Sequence, residues 1–456
     1  MREDVNGSSR RARSRIVAIT GAILAANIAT CLPAQAYPPF LETLKNIGAT
    51  PEELKKFNEL YSTMNPEEKA KADKNDVNYL RNGLDYFRAV WAGEAAHPLL
   101  KAGAPMPAFS LKGVDDKIYS PASFKDAKVV VVAFMSNHCP ASQMSEGRIM
   151  QLVTDYAKRG VAFVAIQPDA PNAAAPSELG FTDVDDGLAG MKERARYRSY
   201  NLPYLDDGEL QVVTKAFGPK TTPHVFIFDQ DRKLRYEGRI DNHLRADKAT
   251  THEARDAIEL LLAGKPVPVA HTPTFGCSIK WADQTALADR ERDEWKAMPI
   301  KVETATLEQL TALRKTPSDK TRIINFWATW CGPCKVELPE LVKTYQWYQG
   351  RDVELVTVSV DDPANRAGVK KFLEKIHAPV RNLQVDTSDL FAVQAAFDPD
   401  WQSGVPYTLV LAPDGRVIYR QEGEVDILKM RRAILANIDG PGGFVGNADY
   451  WKSASR

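Results

Sequence analysis

Apolar runs alternate with amphipathic stretches along most of the chain, beginning at Ala104. The run KVVVVAF has no polar residue after its lysine, which is typical of a central strand covered by helices on both faces. The amphipathic stretch that follows it stops at Gly160, as a helix would. This half predicts a strand at 128–134, a helix at 144–158, a strand at 161–166, short helical patches, a hairpin at 225–238 and a helix ending before Gly264.

The second half repeats that order, β-α-β-α-β-β-α. The hairpins of the two halves even open alike, with TPHVFIFD in one and VPYTLVLAPDG in the other. The charged segment 289–294 between the halves predicts a solvated helix or linker. We therefore expect a tandem duplication of one α/β unit. The second copy predicts a strand at 322–327, a helix at 334–349, a strand at 353–360, a helix at 366–377, a hairpin around 413–415 and a helix at 426–438.

The segment before these units predicts helices. TPEE at 50–53 and NPEE at 65–68 each supply an N-cap residue, proline at the first helical position and glutamate two residues later in the first turn. The apolar residues that follow fall on one face. We expect a helical cap that covers the next domain, and a docking platform is the alternative.

The first 36 residues have the organisation of a secretory signal peptide. Four arginines precede a largely apolar stretch at 16–32, and Ala34-Gln35-Ala36 fits the small-x-small cleavage pattern. The mature chain would begin near Tyr37. The alternative is a membrane anchor retained through residues 16–32.

A chain of 456 residues is too long for one ordinary core and predicts two or three domains. The 59 basic and 59 acidic residues balance, so we expect no general attraction to nucleic acid and look for partners at local sites. The predicted boundaries are a signal peptide at 1–36, a helical cap at 37–102, α/β domains at 103–281 and 303–440 joined by a linker at 282–302, and a tail at 441–456.

Export would change the chemistry expected of cysteine. Removal of Cys31 with the signal leaves four cysteines in an oxidising compartment, where thiols become disulfides unless they are kept reduced. Four cysteines allow three pairings. Cys331 and Cys334 are only three residues apart, and Cys139 and Cys277 are the others.

The motif WCGPC at 330–334 follows an apolar strand and opens a helix. Backbone N–H groups and the helix dipole stabilise a thiolate there, so the pKa of Cys331 can fall. We expect Cys331 to be the nucleophile and Cys334, on the same helical face, to attack the resulting mixed disulfide. Gly332 and Pro333 set the turn between them. A structural disulfide and a zinc half-site are the alternatives, and a second Cys/His pair at metal spacing is missing from this half.

FWATWCGPC, ELPEL and GVPYTLVLAPDG together resemble the TlpA-like thiol-disulfide oxidoreductases of the thioredoxin superfamily, over residues 303–440. The resemblance implies a thioredoxin fold with a cis peptide before Pro406, facing Cys331. Asn325 departs from the pattern, because thioredoxins carry a buried carboxylate there that moves protons for the second cysteine. That task is then either absent or carried out by another group, for which Glu337 and water are the candidates.

Residues 103–281 resemble the redoxin (AhpC/TSA, peroxiredoxin-like) branch of the same superfamily through APMPAFSLKGVDDKIYSPASF, FMSNHCPAS, TTPHVFIFD and FGCSIKW. Placing the halves on one another, we expect Ser136 at the position of Cys331 and Cys139 at that of Cys334. Pro223 is then expected to follow a cis peptide. Ser136 is a departure, since many relatives have cysteine there.

Four interpretations of Cys139 remain open. A peroxidatic cysteine needs a hydroxyl three residues before it, which Ser136 supplies, but Val132 replaces the usual proline and no arginine can be assigned. A disulfide would pair Cys139 with Cys277. A metal role would draw on His138, Cys139 and His224. Finally, Cys139 could be an idle thiol in a binding module.

These resemblances imply an exported, periplasmic or envelope enzyme that uses Cys331 and Cys334 to reduce or exchange disulfides. Trp330 would flank the reacting sulfur. The implied partners are disulfide-containing envelope proteins and an upstream, membrane-bound thiol donor, with no nucleic acid, metal or small-molecule cofactor. The alternatives are a thiol peroxidase centred on Cys139 and recharged by the second domain, and a first domain that serves as a non-catalytic or metal-binding client module.

Overall fold

The computed structural model describes residues 38–63, 66–208, 210–402 and 404–439. The signal peptide and membrane anchor predicted at the amino terminus, and the tail predicted at 441–456, lie outside these residues. Within the described ranges no helix combines the length and the apolar character needed to cross a membrane.

The chain forms two compact units, and the first is helical as far as Phe87. Its side chains pack Phe40, Leu41 and Leu44 into an apolar interior, with the ring of Phe57 5.2 Å from that of Phe87. The predicted helices are confirmed, whereas their role as a cap stays a prediction. The helices are α1 (Pro39–Asn46), α2 (Pro51–Thr63), α3 (Pro66–Asp73) and α4 (Val77–Ala96), the last of which continues into the second unit.

The second unit begins at Arg88 and contains two mixed sheets flanked by helices, which confirms the predicted α/β class. The first sheet has seven strands in the order β2-β1-β5-β4-β3-β7-β8, and β6 pairs separately with β9. Its elements are β1 (Leu111–Gly113), β2 (Ile118–Tyr119), β3 (Val129–Phe134), α5 (Pro140–Tyr156), β4 (Val161–Gln167), α6 (Leu188–Arg198), β5 (Tyr204–Asp206), α7 (Val212–Phe217), β6 (Thr221–Thr222), β7 (His224–Phe228), β8 (Leu234–Gly238), α8 (Glu253–Leu262) and β9 (Cys277–Ser278).

The second sheet has six strands in the order β10-β13-β12-β11-β14-β15. Every residue of β3 and of β11 is buried, because both central strands are covered on both faces. The elements are α9 (Ala286–Ala297), β10 (Val302–Ala305), α10 (Leu307–Lys315), β11 (Thr321–Trp327), α11 (Gly332–Tyr348), β12 (Val353–Ser359), α12 (Arg366–Lys375), β13 (Arg381–Val385), α13 (Leu390–Phe397), β14 (Tyr407–Leu411), β15 (Val417–Glu422) and α14 (Ile427–Asp439).

The strand registers correct the predicted superposition of the two halves. Phe134 lies opposite His224, which directly follows a cis peptide at Pro223, and Phe326 lies opposite Tyr407, which directly follows a cis peptide at Pro406. Counting five residues on from each phenylalanine reaches the cysteine that caps the next helix.

Cys139 therefore corresponds to Cys331, and Ser142 corresponds to Cys334. The expectation that Ser136 stands at the position of Cys331 was wrong by three residues, and Ser136 corresponds to Ala328 instead. The physical reason is that α5 and α11, both 17 residues long, begin immediately after Cys139 and Cys331. Helix start and strand register together fix the correspondence, whereas cysteine spacing alone does not.

Contacts between the two halves gather at the carboxyl end of α11 and on α14. The Tyr348 hydroxyl donates to the carbonyl of Thr182 at 2.7 Å, and Arg432 pairs with Asp183 at 2.7 Å and with Glu193 at 2.9 Å. Cys331 lies at the opposite end of α11, which at 17 residues is about 25 Å long.

The charged segment between the halves forms helix α9, and this helix contacts both of them. Glu291 accepts hydrogen bonds from the backbone and the hydroxyl of Ser177 in the first half. The buried Trp295 donates its indole N–H to the carbonyl of His377 in the second half at 2.9 Å. The segment predicted as a solvated helix or linker is thus a helix with a partly buried face.

Candidate active sites

The WCGPC motif lies where β11 ends and α11 begins. Cys331 and Cys334 are joined in a disulfide, and the Cys334 N–H points at the Cys331 sulfur at 3.2 Å. Cys334 is fully buried, whereas Cys331 is 5% exposed and the preceding Trp330 is 65% exposed. An approaching molecule therefore meets Trp330 and the Cys331 sulfur first. Gly332 and Pro333 form the first helical turn, as expected.

The peptide between Val405 and Pro406 is cis, as predicted, and it faces the disulfide. The carbonyl oxygen of Val405 lies 3.6 Å from the Cys331 sulfur. Backbone groups at this position are close enough to pair with a chain segment whose sulfur has reached Cys331.

A buried amide and a buried carboxyl lie beneath the motif. The Asn325 amide donates to Glu337 Oε1 at 2.9 Å and to Thr408 at 3.0 Å. Glu337 Oε2 accepts the Val425 N–H at 2.8 Å, and burial raises the pKa of Glu337. Because Glu337 lies three residues after Cys334 on the same helix, the two side chains share a face. The structure thus brings together Asn325, which departs from the thioredoxin pattern, and Glu337, which the sequence indicated as a candidate for the missing carboxylate.

Sequence reasoning missed the residue that fixes the loop before Cys331. Asp361 is buried just beyond β12 and accepts the Thr329 N–H and the Ser359 hydroxyl, both at 2.8 Å. A signal was available, since a carboxylate directly after a parallel strand lies at the edge of the sheet where the neighbouring strand delivers Cys331.

The first half places Cys139 at the start of α5 in a fully enclosed position. Its sulfur accepts the Ser142 N–H at 3.4 Å and lies 2.9 Å from the carbonyl oxygen of Thr222, the residue before the predicted and observed cis Pro223. The Ser136 hydroxyl bonds with the Thr222 hydroxyl at 2.9 Å. The structure thus brings together Ser136, Cys139 and Pro223, which the sequence had proposed as one site.

Cys277 reaches the same place from β9, where it lies directly opposite Thr222 of β6. Its thiol is within hydrogen-bonding reach of the Cys139 sulfur, and both cysteines are free and buried. Gly276 makes this approach possible, since a Cβ there would lie 1.9 Å from the carbonyl oxygen of Thr222. The predicted disulfide between Cys139 and Cys277 stays a prediction, now with its two sulfurs side by side.

Buried charges surround Cys139. His138 pairs through Nδ1 with Asp186, which also accepts the Asn137 N–H at 2.6 Å. Burial favours the neutral imidazole, but Asp186 raises the pKa of His138 to about 9. Burial also opposes a charge on Cys139, yet the Cys277 thiol and the His138 imidazolium lower the pKa of Cys139 to about 5. The hydrogen bond to Cys139, together with burial, raises the pKa of Cys277 well above its ordinary value.

The metal set considered from the sequence is not assembled. His224 accepts the Lys220 N–H on Nδ1 at 3.1 Å and faces Glu237 with Nε2 at 2.9 Å, so both of its nitrogens are occupied. Ligand-type atoms of His138, Asp169 and Asp186 do lie within 4.8 Å of one another. Because the His138 imidazole is already paired with Asp186, we describe these residues as an ion-pair cluster.

Asp169 and Asp186 could not be found from the sequence. They follow β4 in a long Ala/Pro/Asp-rich loop that has no periodic pattern, and Asp186 is 48 residues from His138. No arginine donates to the Cys139 sulfur among the residues that the structure describes; its contacts come from Ser142, Thr222 and Cys277. The arginine that the peroxidatic interpretation lacked in sequence is therefore missing at this site too.

Comparisons with known proteins support the predicted superfamily for both halves. The Redoxin family model matches residues 101–257 and again 291–434. The thiol:disulfide interchange protein HelX of Rhodobacter capsulatus is 31% identical over 140 residues, which cover 30% of this chain and 70% of HelX. The thiol-disulfide oxidoreductase ResA of Bacillus subtilis is 33% identical over 97 residues, covering 21% of this chain and 49% of ResA.

Among solved structures, a hypothetical protein of Sinorhizobium meliloti 1021 is 30% identical and aligns at a TM-score of 0.36, over 40% of this chain and 95% of its own. The family model covers more than half of the chain and matches it twice, once in each half. The chain therefore belongs to the Redoxin family of the thioredoxin superfamily and is a thioredoxin-like oxidoreductase.

Proposed function

We propose that this protein is an exported thiol-disulfide oxidoreductase that reduces or exchanges disulfides in envelope proteins through Cys331 and Cys334. One observation carries the proposal: the Cys331–Cys334 disulfide opens α11, faces the cis peptide before Pro406 and lies beside the exposed Trp330. An apolar, accessible flank next to the reacting sulfur suits a polypeptide substrate.

The reaction proceeds in two exchanges. The Cys331 thiolate attacks one sulfur of the substrate disulfide, so that a mixed disulfide forms and the second substrate sulfur leaves as a thiolate that takes up a proton. Cys334 then loses its proton and attacks the Cys331 sulfur, which releases the first substrate sulfur. The substrate gains two electrons and two protons, and the Cys331–Cys334 disulfide is restored.

Glu337 is the proposed acceptor of the Cys334 proton. Its carboxyl is buried beneath the motif, and burial raises its pKa toward that of a useful base. The Asn325 amide holds Oε1 and the Val425 N–H holds Oε2, so the carboxyl group keeps one orientation. Glu337 thus replaces the buried carboxylate that thioredoxins carry at the position of Asn325.

The sequence and the relatives support the proposed partners and compartment. HelX is named a thiol:disulfide interchange protein and ResA a thiol-disulfide oxidoreductase, which supports disulfides as substrates. The arginine-rich start and the Ala34-Gln35-Ala36 motif support export to the periplasm or envelope. Repeated reduction in an oxidising compartment requires an upstream thiol donor, and a membrane protein with access to reduced thiols would serve.

A trapping experiment tests the proposal in the full chain. With Cys334→Ala, the mixed disulfide on Cys331 cannot be resolved, so substrates should accumulate on Cys331 when the variant is expressed in its native envelope. Non-reducing separation and mass spectrometry of the trapped species identify them. The matched control carries Cys331→Ser as well and should trap nothing.

Capture of disulfide-containing envelope proteins supports the proposal. If the Cys334→Ala variant captures no more than its control under reducing and oxidising growth, the assignment of Cys331 as a disulfide-reducing nucleophile is wrong. Capture of Cys139 or Cys277 of the same chain would favour an internally coupled enzyme instead.

The second candidate is a thiol peroxidase at Cys139, and the lowered pKa of this cysteine favours it. Recharging by the second domain is harder to reconcile with the arrangement of the halves. The contacts at Thr182 and Asp183 involve the carboxyl end of α11 and α14, about 25 Å along α11 from Cys331. Such a peroxidase would need a thiol partner other than Cys331.

A further inference from the structure

The ion-pair cluster of His138, Asp169 and Asp186 contains one carboxylate oxygen that the pairing of His138 with Asp186 does not use. Asp169 Oδ2 is buried, accepts no hydrogen bond from the residues that the structure describes, and lies 3.9 Å from His138 Nδ1. A buried carboxylate oxygen without a donor is costly unless a positive group meets it. The cluster therefore has an unsatisfied acceptor that a cation would satisfy.

The backbone holds the other oxygen of each carboxylate. Asp169 Oδ1 accepts the Lys280 N–H at 2.7 Å, and Asp186 Oδ1 accepts the Asn137 N–H at 2.6 Å. These bonds leave the Oδ2 atom of each aspartate facing His138 Nδ1. Hydrogen bonds of this kind orient the carboxylate ligands of metal sites.

Two neighbouring strands and one amide bring the three residues together. His138 follows β3 and Asp169 follows β4, and these strands pair in parallel, so both residues lie at the same edge of the sheet. The Gln167 side-chain amide donates to the carbonyl of Asp169 at 3.0 Å and to that of Asp186 at 2.8 Å. Bonds outside the cluster thus fix the positions of its members.

The spacing and the charge of the cluster suit one divalent cation. One ligand-type atom from each residue lies within 4.8 Å of the others, and donors bound to zinc at about 2.0–2.1 Å stand roughly 3.3 Å apart, so small side-chain rotations would bring them to that spacing. Two carboxylates balance the charge of a divalent ion, and the imidazole binds as a neutral ligand. Lys280 is paired with Glu178, so this neighbouring pair adds no net charge.

We propose that His138, Asp169 and Asp186 form a structural site for one divalent metal ion of the zinc, manganese or iron(II) class, bound through His138 Nδ1 and the Oδ2 atom of each aspartate. One nitrogen and two carboxylate oxygens are a donor set that these metals accept. On binding, the ion takes the place of the His138 Nδ1 proton, which passes to solvent. A water molecule taken in with the ion supplies a fourth ligand.

This site differs from the metal set considered from the sequence, since neither Cys139 nor His224 belongs to it. It also departs from the absence of a metal that the family resemblance implies. The ion would fasten the long loop after β4 to the turn that carries Cys139. His138, Asp169 and Asp186 are each at most 3% exposed, so we expect the ion to enter while the loop is still open during folding.

Cobalt(II) is the probe, because its visible absorption reports the ligand geometry and its near-ultraviolet absorption reveals thiolate ligands. The full chain, with the Cys331–Cys334 disulfide intact, is unfolded with a chelator, freed of the chelator and refolded with or without cobalt(II). We expect one cobalt ion per chain after gel filtration, no thiolate band, and a higher midpoint of thermal unfolding than in the metal-free chain. Expression in medium containing cobalt gives the same measurement without refolding.

Asp169→Asn tests the site most directly, because asparagine keeps the side-chain volume and an oxygen for the Lys280 N–H while it removes the charge. The affinity for cobalt should fall by about 100-fold or more, and the rise in the unfolding midpoint should disappear. The matched control is Asp116→Asn, at an exposed aspartate, which should bind like the unaltered chain. His138→Gln should also lose the ion and provides a second variant, and circular dichroism establishes that each variant is folded.

The proposal is overturned if the unaltered chain, refolded or expressed with cobalt, holds no more cobalt than a folded Asp169→Asn or His138→Gln variant. A thiolate band would also overturn it, because the ion would then be bound to Cys139 or Cys277. An equal loss of cobalt in Asp116→Asn would assign the ion to the surface and overturn it as well. None of these results bears on disulfide reduction by Cys331.

Discussion

The cysteines that open α5 and α11 occupy the same place in two copies of one fold, yet their surroundings differ. The residue before Cys331 is Trp330, which is 65% exposed, whereas the corresponding residue before Cys139 is His138, which is buried and paired with Asp186. The second sulfur of one site lies one helical turn away, and that of the other lies on a different strand. The fold thus fixes where the nucleophile lies, while the neighbouring segments decide which molecules reach it.

The proton acceptors differ in the same way. The buried pair Asn325 and Glu337 of the second half corresponds to Ala133 and Ser145 of the first, neither of which can take up a proton at ordinary pH. The first half instead places an imidazole beside the nucleophile. The second half therefore provides an acceptor for the proton of Cys334, whereas the first half stabilises the thiolate of Cys139.

The largest effect is expected from Glu337→Gln, which removes the proton acceptor of the second site alone. Resolution of the mixed disulfide should slow by about 100-fold, because the Cys334 proton loses its acceptor. Quenched-flow measurement with a model protein disulfide would show the mixed species on Cys331 persisting. Peroxide oxidation of Cys139 should be unchanged.

The matched control is Glu340→Gln, on the same helix but with a half-exposed side chain, which should resolve at the normal rate. Stability gives a second measurement. Burial raises the pKa of Glu337, so its contribution to the free energy of unfolding is full below its ordinary pKa and is lost as pH rises through the raised one. Glu337→Gln should remove this loss. Equal resolution rates in both variants would exclude Glu337 as the acceptor.

A smaller effect is expected from Gly276→Ala, which acts on the first site alone. The added Cβ would lie 1.9 Å from the carbonyl oxygen of Thr222, so β9 must shift away from β6. We expect the free energy of unfolding to fall by about 1–3 kcal/mol, from denaturant titration. The predicted disulfide between Cys139 and Cys277 should form more slowly on mild oxidation.

Gly350→Ala serves as the control, since a Cβ there would meet no atom within 4 Å. It should leave both the unfolding free energy and the rate of formation of that disulfide unchanged. If Gly276→Ala behaves like this control, the close approach of β9 to the cis-proline segment is not what holds Cys277 in place.

The smallest change in stability is expected from Ser142→Cys, which gives the first half a cysteine at the position that corresponds to Cys334. The backbone N–H of residue 142 is already near the Cys139 sulfur, as that of Cys334 is near Cys331. We expect peptide mapping after mild oxidation to show Cys139 linked to residue 142 in place of Cys277.

Ser145→Cys, one turn further along α5, provides the comparison and should leave Cys139 with Cys277. If no disulfide forms between Cys139 and the new cysteine at position 142, the correspondence between α5 and α11 does not extend to the geometry of their first turns.

The sequence predicted the framework well, because continuous apolar runs bounded by glycine have one economical explanation in an α/β fold. The strand predicted at 128–134 is β3 (Val129–Phe134), and that at 322–327 is β11 (Thr321–Trp327). Both cis prolines were also expected. Helix α5 begins at Pro140, four residues before the predicted start at 144, because proline suits a first turn.

The register between the halves was the main error, and its cause is physical. The spacing of Ser136 and Cys139 imitates that of Cys331 and Cys334, so aligning the motifs by spacing shifts one helix by nearly a turn. What fixes the true register is the pairing of β3 with β7 and of β11 with β14, a contact between residues more than 80 positions apart. No local sequence pattern indicates this strand pairing.

The partners of Cys139 could be predicted only in part for a related reason. Cys277 was a candidate because cysteines are few, and its strand pairing with Thr222 agrees with that idea. Asp169 and Asp186 come from a loop whose path is set by buried hydrogen bonds, such as the one from the Asn137 N–H to Asp186. Loops of this kind carry no periodicity, so their carboxylates are indistinguishable in sequence from solvated ones.

The contacts that join the halves have a consequence for how this protein unfolds. Asp183 of the first half is almost completely buried and pairs with Arg432 of the second, while the Tyr348 hydroxyl of the second half bonds with the carbonyl of Thr182 in the first at 2.7 Å. If either half unfolded alone, the other would lose these bonds and expose the surface that they cover, at a cost of about 1 kcal/mol for each hydrogen bond. We therefore expect the two halves to unfold together, and the second half cut free of the first to be less stable than it is within the whole chain.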